Sequence, residues 1–172
     1  MSSEFQIRRL REPEWPAFRR LRLDALRTDA LAFGSTYARE DAYPEEKWQS
    51  WARDGAQGDQ SPTFVIDAGS GNLVGMAGMF QRGPDFVVWG MWVAPSFRGQ
   101  RLGARLTEAL VEWLDRSHPG KRALLSVNPT QTPAVRTYLA HGFVFTGVEE
   151  PLGHSPPAII REMVRGPRPR AR

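Results

Sequence analysis

The feature that most constrains this sequence is a change in the spacing of apolar residues near position 100. Residues 86–93 form a short, almost continuous apolar run, which is typical of a buried strand. Leucine then recurs at every fourth position, at Leu102, Leu106, Leu110 and Leu114. This spacing predicts a helix over residues 103–117 with one apolar face, so the chain must combine strands and helices.

The rest of the sequence predicts six further strands and three further helices. The strands are predicted over 4–10, 63–68, 73–81, 123–127, 143–148 and 158–164. The helices are predicted over 14–27, 45–52 and 133–140, the last with Thr132 as N-cap and Gly142 as its left-handed terminator. Short connections between residues 63 and 93 imply an antiparallel meander. We therefore predict one α/β (α+β) domain with seven strands and about four helices.

Composition excludes several kinds of site and location. The 172 residues suffice for one domain with its own core. The absence of cysteine removes disulfides, thiolate nucleophiles and cysteine-ligated zinc, and we predict no metal site. The charged N-terminal stretch is unlike a signal peptide, and no later segment is apolar enough to cross a bilayer. We therefore expect a cytoplasmic location without membrane association.

The formal charge of +4 and the pI near 10.1 raise the question of nucleic-acid binding. Part of the excess charge lies in the last residues, which are punctuated by proline and glycine. We predict residues 1–165 as the folded domain and 166–172 as a disordered basic tail. The other arginines are scattered, and no basic helix with base-reading polar residues is present, so nucleic acid is disfavoured as a partner.

The start of the leucine-faced helix lacks capping side chains. The first backbone N–H groups of a helix are usually satisfied by Ser, Thr, Asp or Asn, but residues 99–102 are Gly-Gln-Arg-Leu. The helix dipole favours acidic residues here, yet Arg98, Arg101 and Arg105 flank this turn. An external anion would satisfy the amides, the dipole and the guanidinium groups together.

A basic helix start capped by water explains the same residues without a ligand, and this short loop alone leaves both interpretations open. Gly-x-Gly-x-x-Gly and Gly-Lys-Ser/Thr are absent from the sequence. Their absence argues against dinucleotide oxidoreductases and P-loop nucleotide hydrolases.

Residues 93–103, Val-Ala-Pro-Ser-Phe-Arg-Gly-Gln-Arg-Leu-Gly, resemble the acetyl-CoA signature Gln/Arg-x-x-Gly-x-Gly/Ala of the GNAT superfamily of N-acetyltransferases. The order of elements over about residues 4–164 is also similar. Arg101 departs from the pattern, because the signature has its first glycine there. The resemblance implies a mixed, mostly antiparallel seven-stranded sheet flanked by about four helices, with a splayed parallel central strand pair. It also implies amides of 99–104 on the coenzyme A pyrophosphate and the backbone of 91–93 along the pantetheine arm. The implied coenzyme site comprises Met91, Trp92, Val93, Arg98, Gly99, Gln100, Arg101, Leu102, Gly103, Ala104, Asn128 and Gln131.

A second block, from Gln131 to Phe143, is similar to the family pattern Asn-x-x-Ala-x-x-x-Tyr-x-x-x-Gly-Phe. Gln131 replaces the customary asparagine, and Asn128 is a candidate substitute for it. The resemblance implies that Tyr138 protonates the departing thiolate, a role within reach of a phenol of ordinary pKa near ~10. Taken by itself, Tyr138 is better explained as a core aromatic residue, whereas both motif blocks in order favour the catalytic role.

Together these features predict an N-acetyltransferase that moves an acetyl group from acetyl-CoA to a primary amine of a small molecule, peptide or protein. Direct attack by a neutral amine, with backbone N–H donors at the oxyanion, requires no covalent enzyme intermediate. The alternative is a non-catalytic acyl-CoA-binding regulatory module, and either a monomer or a homodimer is expected. The candidates for the general base are Glu40, Asp41, His141, Glu149, Glu150 and His154. The aromatic candidates for the acceptor pocket, each also explained by core packing, are Phe33, Tyr37, Tyr43, Trp48 and Trp89.

Overall fold

The computed structural model of the protein describes residues 5–154 and 157–167, and its strands form one sheet. The strands are β1 (Gln6–Arg9), β2 (Thr63–Asp67), β3 (Leu73–Arg82), β4 (Asp85–Val93), β5 (Ala123–Val127), β6 (Val144–Pro151) and β7 (Ile159–Arg165). Their order is β1-β2-β3-β4-β5-β7-β6, and β4–β5 is the parallel pair in an otherwise antiparallel sheet of described strands. The predicted mixed seven-stranded sheet is confirmed.

Five α-helices accompany the sheet in the described residues, against about four predicted. They are α1 (Trp15–Thr28), α2 (Tyr37–Asp41), α3 (Glu45–Gln57), α4 (Leu102–Ser117) and α5 (Thr132–Ala140). The additional helix is α2, a single short element whose start is capped by the Thr36 hydroxyl, which accepts from the Arg39 N–H at 3.3 Å. A helix this short has too few turns to show an apolar period in the sequence.

Helix α3 extends to Gln57, beyond its predicted end at Ala52. The reason is the packing of Gly55 against β2. A Cβ atom at Gly55 would lie 2.5 Å from the Thr63 hydroxyl, so glycine permits this close approach. Arg9 also donates to the Gly55 carbonyl at 2.8 Å. Glycine here serves helix–sheet contact rather than helix termination.

Two further predictions are corrected near the C-terminus, whereas the left-handed residue Gly142 is confirmed with φ of +86°. Thr132 is the first residue of α5 rather than its N-cap, which is Gln131 without a side-chain bond. β6 continues to Pro151, so Glu149 and Glu150 lie inside the strand rather than after it. Pairing with β7 lengthens β6 beyond the apolar stretch that marks it in the sequence.

Two apolar cores lie on opposite faces of the sheet. Successive residues of β2 alternate between them, as strand geometry requires. Phe64 and Ile66 join the core beneath α4, while Val65 joins the core beneath α1 and α3. The sheet is therefore covered on both faces, and β2 and most of β3 are buried.

The predicted basic tail falls mostly in residues 168–172, which lie outside the described residues. Within the described part of the chain, no helix has the length and apolar character needed to cross a membrane.

Candidate functional site

The parallel strands β4 and β5 separate towards their C-terminal ends. They pair at Phe86↔Ala123 and Val87↔Leu124, and no further described pair joins them. From residue 88 onward, backbone groups of β4 that face β5 therefore have no strand partner. The predicted splayed central pair is confirmed, and it leaves the edge of β4 unpaired from residue 88 onward.

A β-bulge lies in β4 beside this open edge. The β3–β4 register shifts between the pairs at Met76 and Gly78, so that Gly90 and Met91 together oppose one residue of β3. Gly90 has φ of +68°, in the left-handed region that glycine adopts without strain. A bulge turns the following peptide group relative to the regular ladder. The amide at Met91 is therefore oriented differently from those of a continuous strand.

The segment after β4 enters α4 through a run of free amides. A 3-10 turn over Pro95–Phe97 is followed by Gly99 at φ +80°, and α4 then begins at Leu102 with no side-chain cap. The backbone N–H groups of residues 99–104 donate to no described acceptor. We call residues 99–104 the free-amide loop. These donors lie at the positive end of the α4 dipole, and the predicted lack of a cap is confirmed.

The three arginines near the free-amide loop have different partners. Arg98 donates to a carbonyl of β4 at 2.9 Å and to Oδ2 of Asp29 at 2.6 Å. Arg105 donates to the Phe5 carbonyl at 2.9 Å. The exposed side chain of Arg101 has no hydrogen bond or ion pair with a described residue. We predicted that all three guanidinium groups face one anion, whereas the structure holds two of them on protein oxygens.

Arg101 also occupies a backbone conformation that normally belongs to glycine. Its φ and ψ are 59° and 19°, the left-handed region, which costs a residue with a Cβ about 1–2 kcal/mol. This is the position at which the chain departs from the GNAT signature. The substitution therefore adds an unpaired cation to the free-amide loop and strains its backbone.

Tyr138 lies on α5 and is 6% exposed. Its ring packs edge-on against Phe143, with centroids 5.8 Å apart. The hydroxyl makes no hydrogen bond to a described residue, and it is not among the fully enclosed polar atoms, so it keeps contact with solvent. Burial raises the pKa of Tyr138 well above the ordinary value for a phenol, so this residue is protonated at neutral pH.

The two amides near the end of β5 differ in their engagement. Oδ1 of Asn128 accepts from the backbone N–H of Thr130 at 3.0 Å and from its hydroxyl at 2.8 Å, which closes a local turn. Asn128 is buried, whereas Gln131 is half-buried and its side chain makes no described hydrogen bond. Of the two, Gln131 has the more available side chain.

Glu40, a candidate base, forms a buried ion pair with Arg22 of α1. The carboxylate accepts from Nε and Nη2 of Arg22 at 2.8 and 2.7 Å, and the two residues are 2% and 6% exposed. The guanidinium lies over the rings of Phe33, Trp51 and Trp89, with its carbon 4.9, 5.8 and 5.6 Å from their centroids. Nη1 of Arg22 is buried without a partner. Because both its oxygens are committed to Arg22, Glu40 is poorly suited to removing a proton.

Most of the remaining base candidates are also engaged. Asp41 pairs with Arg19 at 2.7 Å, and Glu149 pairs with Arg161 at 2.6 Å. Ring nitrogens of His141 and His154 lie 2.7 and 2.6 Å from the backbone carbonyls of Thr137 and Phe33. Glu150 is exposed without a described ion pair. Among the aromatic candidates, Phe33 and Trp48 are buried, while Tyr37, Tyr43 and Trp89 are half-buried. Of the aromatic candidates, the half-buried three are the more available to line an acceptor pocket.

Two features of this region escaped the sequence-based prediction. Arg22 lies four residues from Phe18 and from Leu26, on the apolar face of α1, which was a visible sign of a buried cation, but nothing marked Glu40 as its partner. Asp29 gave no local signal, since its contacts with Trp92 and Arg98 span more than sixty residues. Within the described residues, no group of three or more His, Asp or Glu is placed to hold a metal ion.

Comparison with solved structures supports the fold independently. An acetyltransferase of the GNAT family from Streptococcus pneumoniae is 21% identical, with a TM-score of 0.80 over 96% of this chain and 100% of that chain. A ribosomal-protein-alanine N-acetyltransferase from Brucella melitensis is 19% identical, with a TM-score of 0.74 over 94% and 99%. A GNAT superfamily phosphinothricin acetyltransferase from Sinorhizobium meliloti, solved with AcCoA, is 16% identical, with a TM-score of 0.73 over 97% and 89%. At these identities the likeness establishes the fold alone.

Sequence comparison identifies the family. A search of curated proteins finds no match. The family model described as "Acetyltransferase (GNAT) family" matches residues 8–143, which include the free-amide loop and Tyr138. The chain therefore belongs to the GNAT acetyltransferase family and is an acyltransferase.

Proposed function

We propose that this enzyme transfers an acetyl group from acetyl-CoA to a primary amine by direct attack, within a domain formed by residues 1–165. The observation that carries the proposal is the free-amide loop, where backbone donors, a helix dipole and the unpaired Arg101 lie together at the end of an open strand edge. A doubly charged pyrophosphate has the oxygens and charge that these groups lack.

The residues present fit coenzyme A. Amides of residues 99–104 are free to bind the pyrophosphate, and the unpaired edge of β4 at 91–93 is free to pair with the amides of the pantetheine arm. Asn128 directly follows β5, the strand that diverges from β4, and Gln131 is the N-cap of α5. Arg98 contributes through its contact with Asp29 rather than as a free guanidinium.

The chemistry follows from placing a thioester carbonyl against β4. The amide beside the bulge, at Met91, donates to the oxygen on which negative charge develops as the amine attacks. As the C–S bond breaks, Tyr138 supplies a proton to the departing sulfur, and the proton that the amine nitrogen loses on becoming an amide passes through solvent and restores the phenol. Its raised pKa keeps the phenol protonated at neutral pH, and the same apolar surroundings raise the proton affinity of the thiolate.

Replacement of Tyr138 by Phe tests this role and separates an enzyme from a regulatory binding module. Turnover, followed as free thiol released from acetyl-CoA with a panel of amines, should fall about 100-fold or more, since general acids contribute on this order. Coenzyme affinity by calorimetry should be retained, because the hydroxyl is expected to act only as the thiolate leaves.

Thr137→Ala is the matched control for that experiment. It removes a hydroxyl from the neighbouring position of α5, and this hydroxyl bonds only the Pro133 carbonyl of its own helix. If the Tyr138→Phe variant has the same turnover as the Thr137→Ala control, Tyr138 takes no part in the mechanism. Wild-type protein that binds acetyl-CoA but releases no thiol with any amine would favour the regulatory module.

The acceptor is proposed only as a primary amine. The proteins of similar fold named above include one named for phosphinothricin and one named for a ribosomal-protein alanine, so this fold accommodates small and large acceptors. Mass spectrometry of products from a mixed screen of small amines and peptides identifies which of the two classes this enzyme acetylates.

A further inference from the structure

Asp29 joins the end of α1 to the segment that carries the free-amide loop. Its Oδ2 atom accepts hydrogen bonds from Nε1 of Trp92 and from Nη2 of Arg98, both at 2.6 Å. Trp92 is buried near the end of β4, and Arg98 immediately precedes the free-amide loop. One carboxylate oxygen therefore holds the chain on both sides of the 3-10 turn over Pro95–Phe97.

Asp29 is itself fixed in place. Its N–H donates to the Ala25 carbonyl at the end of α1, and its carbonyl accepts from the Ala32 N–H, each at 2.9 Å. Arg98 is fixed a second time, because its Nε donates to the Val93 carbonyl at 2.9 Å. The direction in which the free-amide loop leaves β4 is therefore set by a helix end that lies far away in the sequence.

The pair also solves an electrostatic problem. A carboxylate beside a site for a phosphorylated ligand repels that ligand unless a cation neutralises it. The Arg98 guanidinium lies on Asp29 and does so. Loss of Arg98 would therefore free the loop and expose a negative charge at the same time.

We propose that Asp29 is a positioning residue for the coenzyme, which acts through Arg98 and Trp92 to hold the free-amide loop in its binding orientation. The proposal rests on the proposed acetyl-CoA site. Donors that are already oriented bind a ligand more tightly, since the entropic cost of ordering them is met when the protein folds.

A double-mutant cycle tests the coupling by calorimetric titration of the folded variants with acetyl-CoA. Asp29→Asn keeps the shape and an acceptor for Trp92 but removes the charge, and it should weaken binding about 10-fold, as for loss of a charge-assisted hydrogen bond. Arg98→Ala should weaken binding about 100-fold, because it also uncovers Asp29. The double variant should return to about the affinity of Asp29→Asn alone.

Kinetics supply a readout that a general loss of structure would not reproduce. With any amine found to be acetylated, Asp29→Asn should raise the KM for acetyl-CoA while leaving kcat at saturating coenzyme and the KM of the amine unchanged. Asp24→Asn is the matched control, since it removes an exposed carboxylate from the same helix whose described ion pair, with Arg27, is long at 3.8 Å.

The possible outcomes distinguish the positioning role of Asp29 from the proposed acetyl-CoA site on which it rests. Wild-type protein that binds no acetyl-CoA would refute the proposed function itself. Binding by wild type together with equal or tighter binding by Asp29→Asn, or losses that simply multiply in the double variant, would overturn the positioning role. If Asp29→Asn does not fold, Trp92→Phe removes one of the two bonds and should weaken binding severalfold; unchanged affinity would count against the proposal.

Discussion

The Arg22–Glu40 pair and the free-amide loop differ in whether their polar groups have partners within the described protein. The pair is buried, and its two charges are joined by two short hydrogen bonds within the protein. The free-amide loop is exposed, its backbone donors have no described partner, and Arg101 is strained there. A protein normally satisfies such groups, so a region that leaves them open at a helix start is prepared for a ligand.

The two regions also contribute to different properties of the protein, the buried pair to stability and the free-amide loop to ligand binding. The buried pair contributes to the arrangement of α2 against α1, because Arg22 lies on α1 and Glu40 lies on α2. The unsatisfied donors and the strained Arg101 of the free-amide loop lower the stability of the fold, but they leave groups available to bind a ligand. Substitutions in the two regions should therefore act on different measured quantities.

The largest expected effect is on the buried pair. Arg22→Met should destabilise the protein by about 3–5 kcal/mol, because it leaves the Glu40 carboxylate buried and unpaired. Arg22→Met combined with Glu40→Met should recover most of that loss, since no isolated charge remains. Denaturant unfolding of both variants measures this difference, and equal stability of the single and double variants would contradict it.

The next largest effect is expected in the free-amide loop, where one substitution should weaken coenzyme binding and increase stability. Gly103→Glu should weaken acetyl-CoA binding about 100-fold, because it places a negative charge against the pyrophosphate. The same change should stabilise the start of α4 by about 0.3–1 kcal/mol through the helix dipole, and nothing lies within 4 Å of the new Cβ.

Calorimetry measures the change in coenzyme affinity, and thermal unfolding measures the change in stability. Ser50→Glu is the charge-matched control, since it adds the same charge at an exposed position of α3, and it should leave coenzyme affinity unchanged. Full affinity in Gly103→Glu would exclude the free-amide loop as the pyrophosphate site.

The smallest effect concerns Arg101. Arg101→Gly should raise stability by about 0.5–1 kcal/mol, because the relief of left-handed strain exceeds the entropy that glycine adds to the unfolded chain. It should weaken coenzyme binding severalfold, and the loss should shrink at high salt as an exposed cation is screened. Arg101→Lys keeps both the strain and the charge and should match wild type; an Arg101→Gly variant less stable than wild type would contradict the account of strain.

The sequence allowed the sheet, four of the helices and the uncapped start of α4 to be predicted, because each depends on periodicity or on the residue types within one turn. Both motif blocks that bear on the coenzyme were visible for the same reason. The orientation of Arg98 could not be predicted, since a guanidinium group can donate to any nearby oxygen and its partner Asp29 lies 69 residues away.

By itself the sequence determined the approximate positions of the seven strands and of four helices, which helix start has no cap, and which family the chain resembles. The tertiary structure alone decided that a bulge re-orients the amide at Met91, that Arg98 is held by Asp29, and that Arg22 is paired with Glu40. The physical reason is the range of the interactions. Local patterns fix backbone periodicity, whereas the partner of a buried charge or an open strand edge depends on which distant segments the topology brings together.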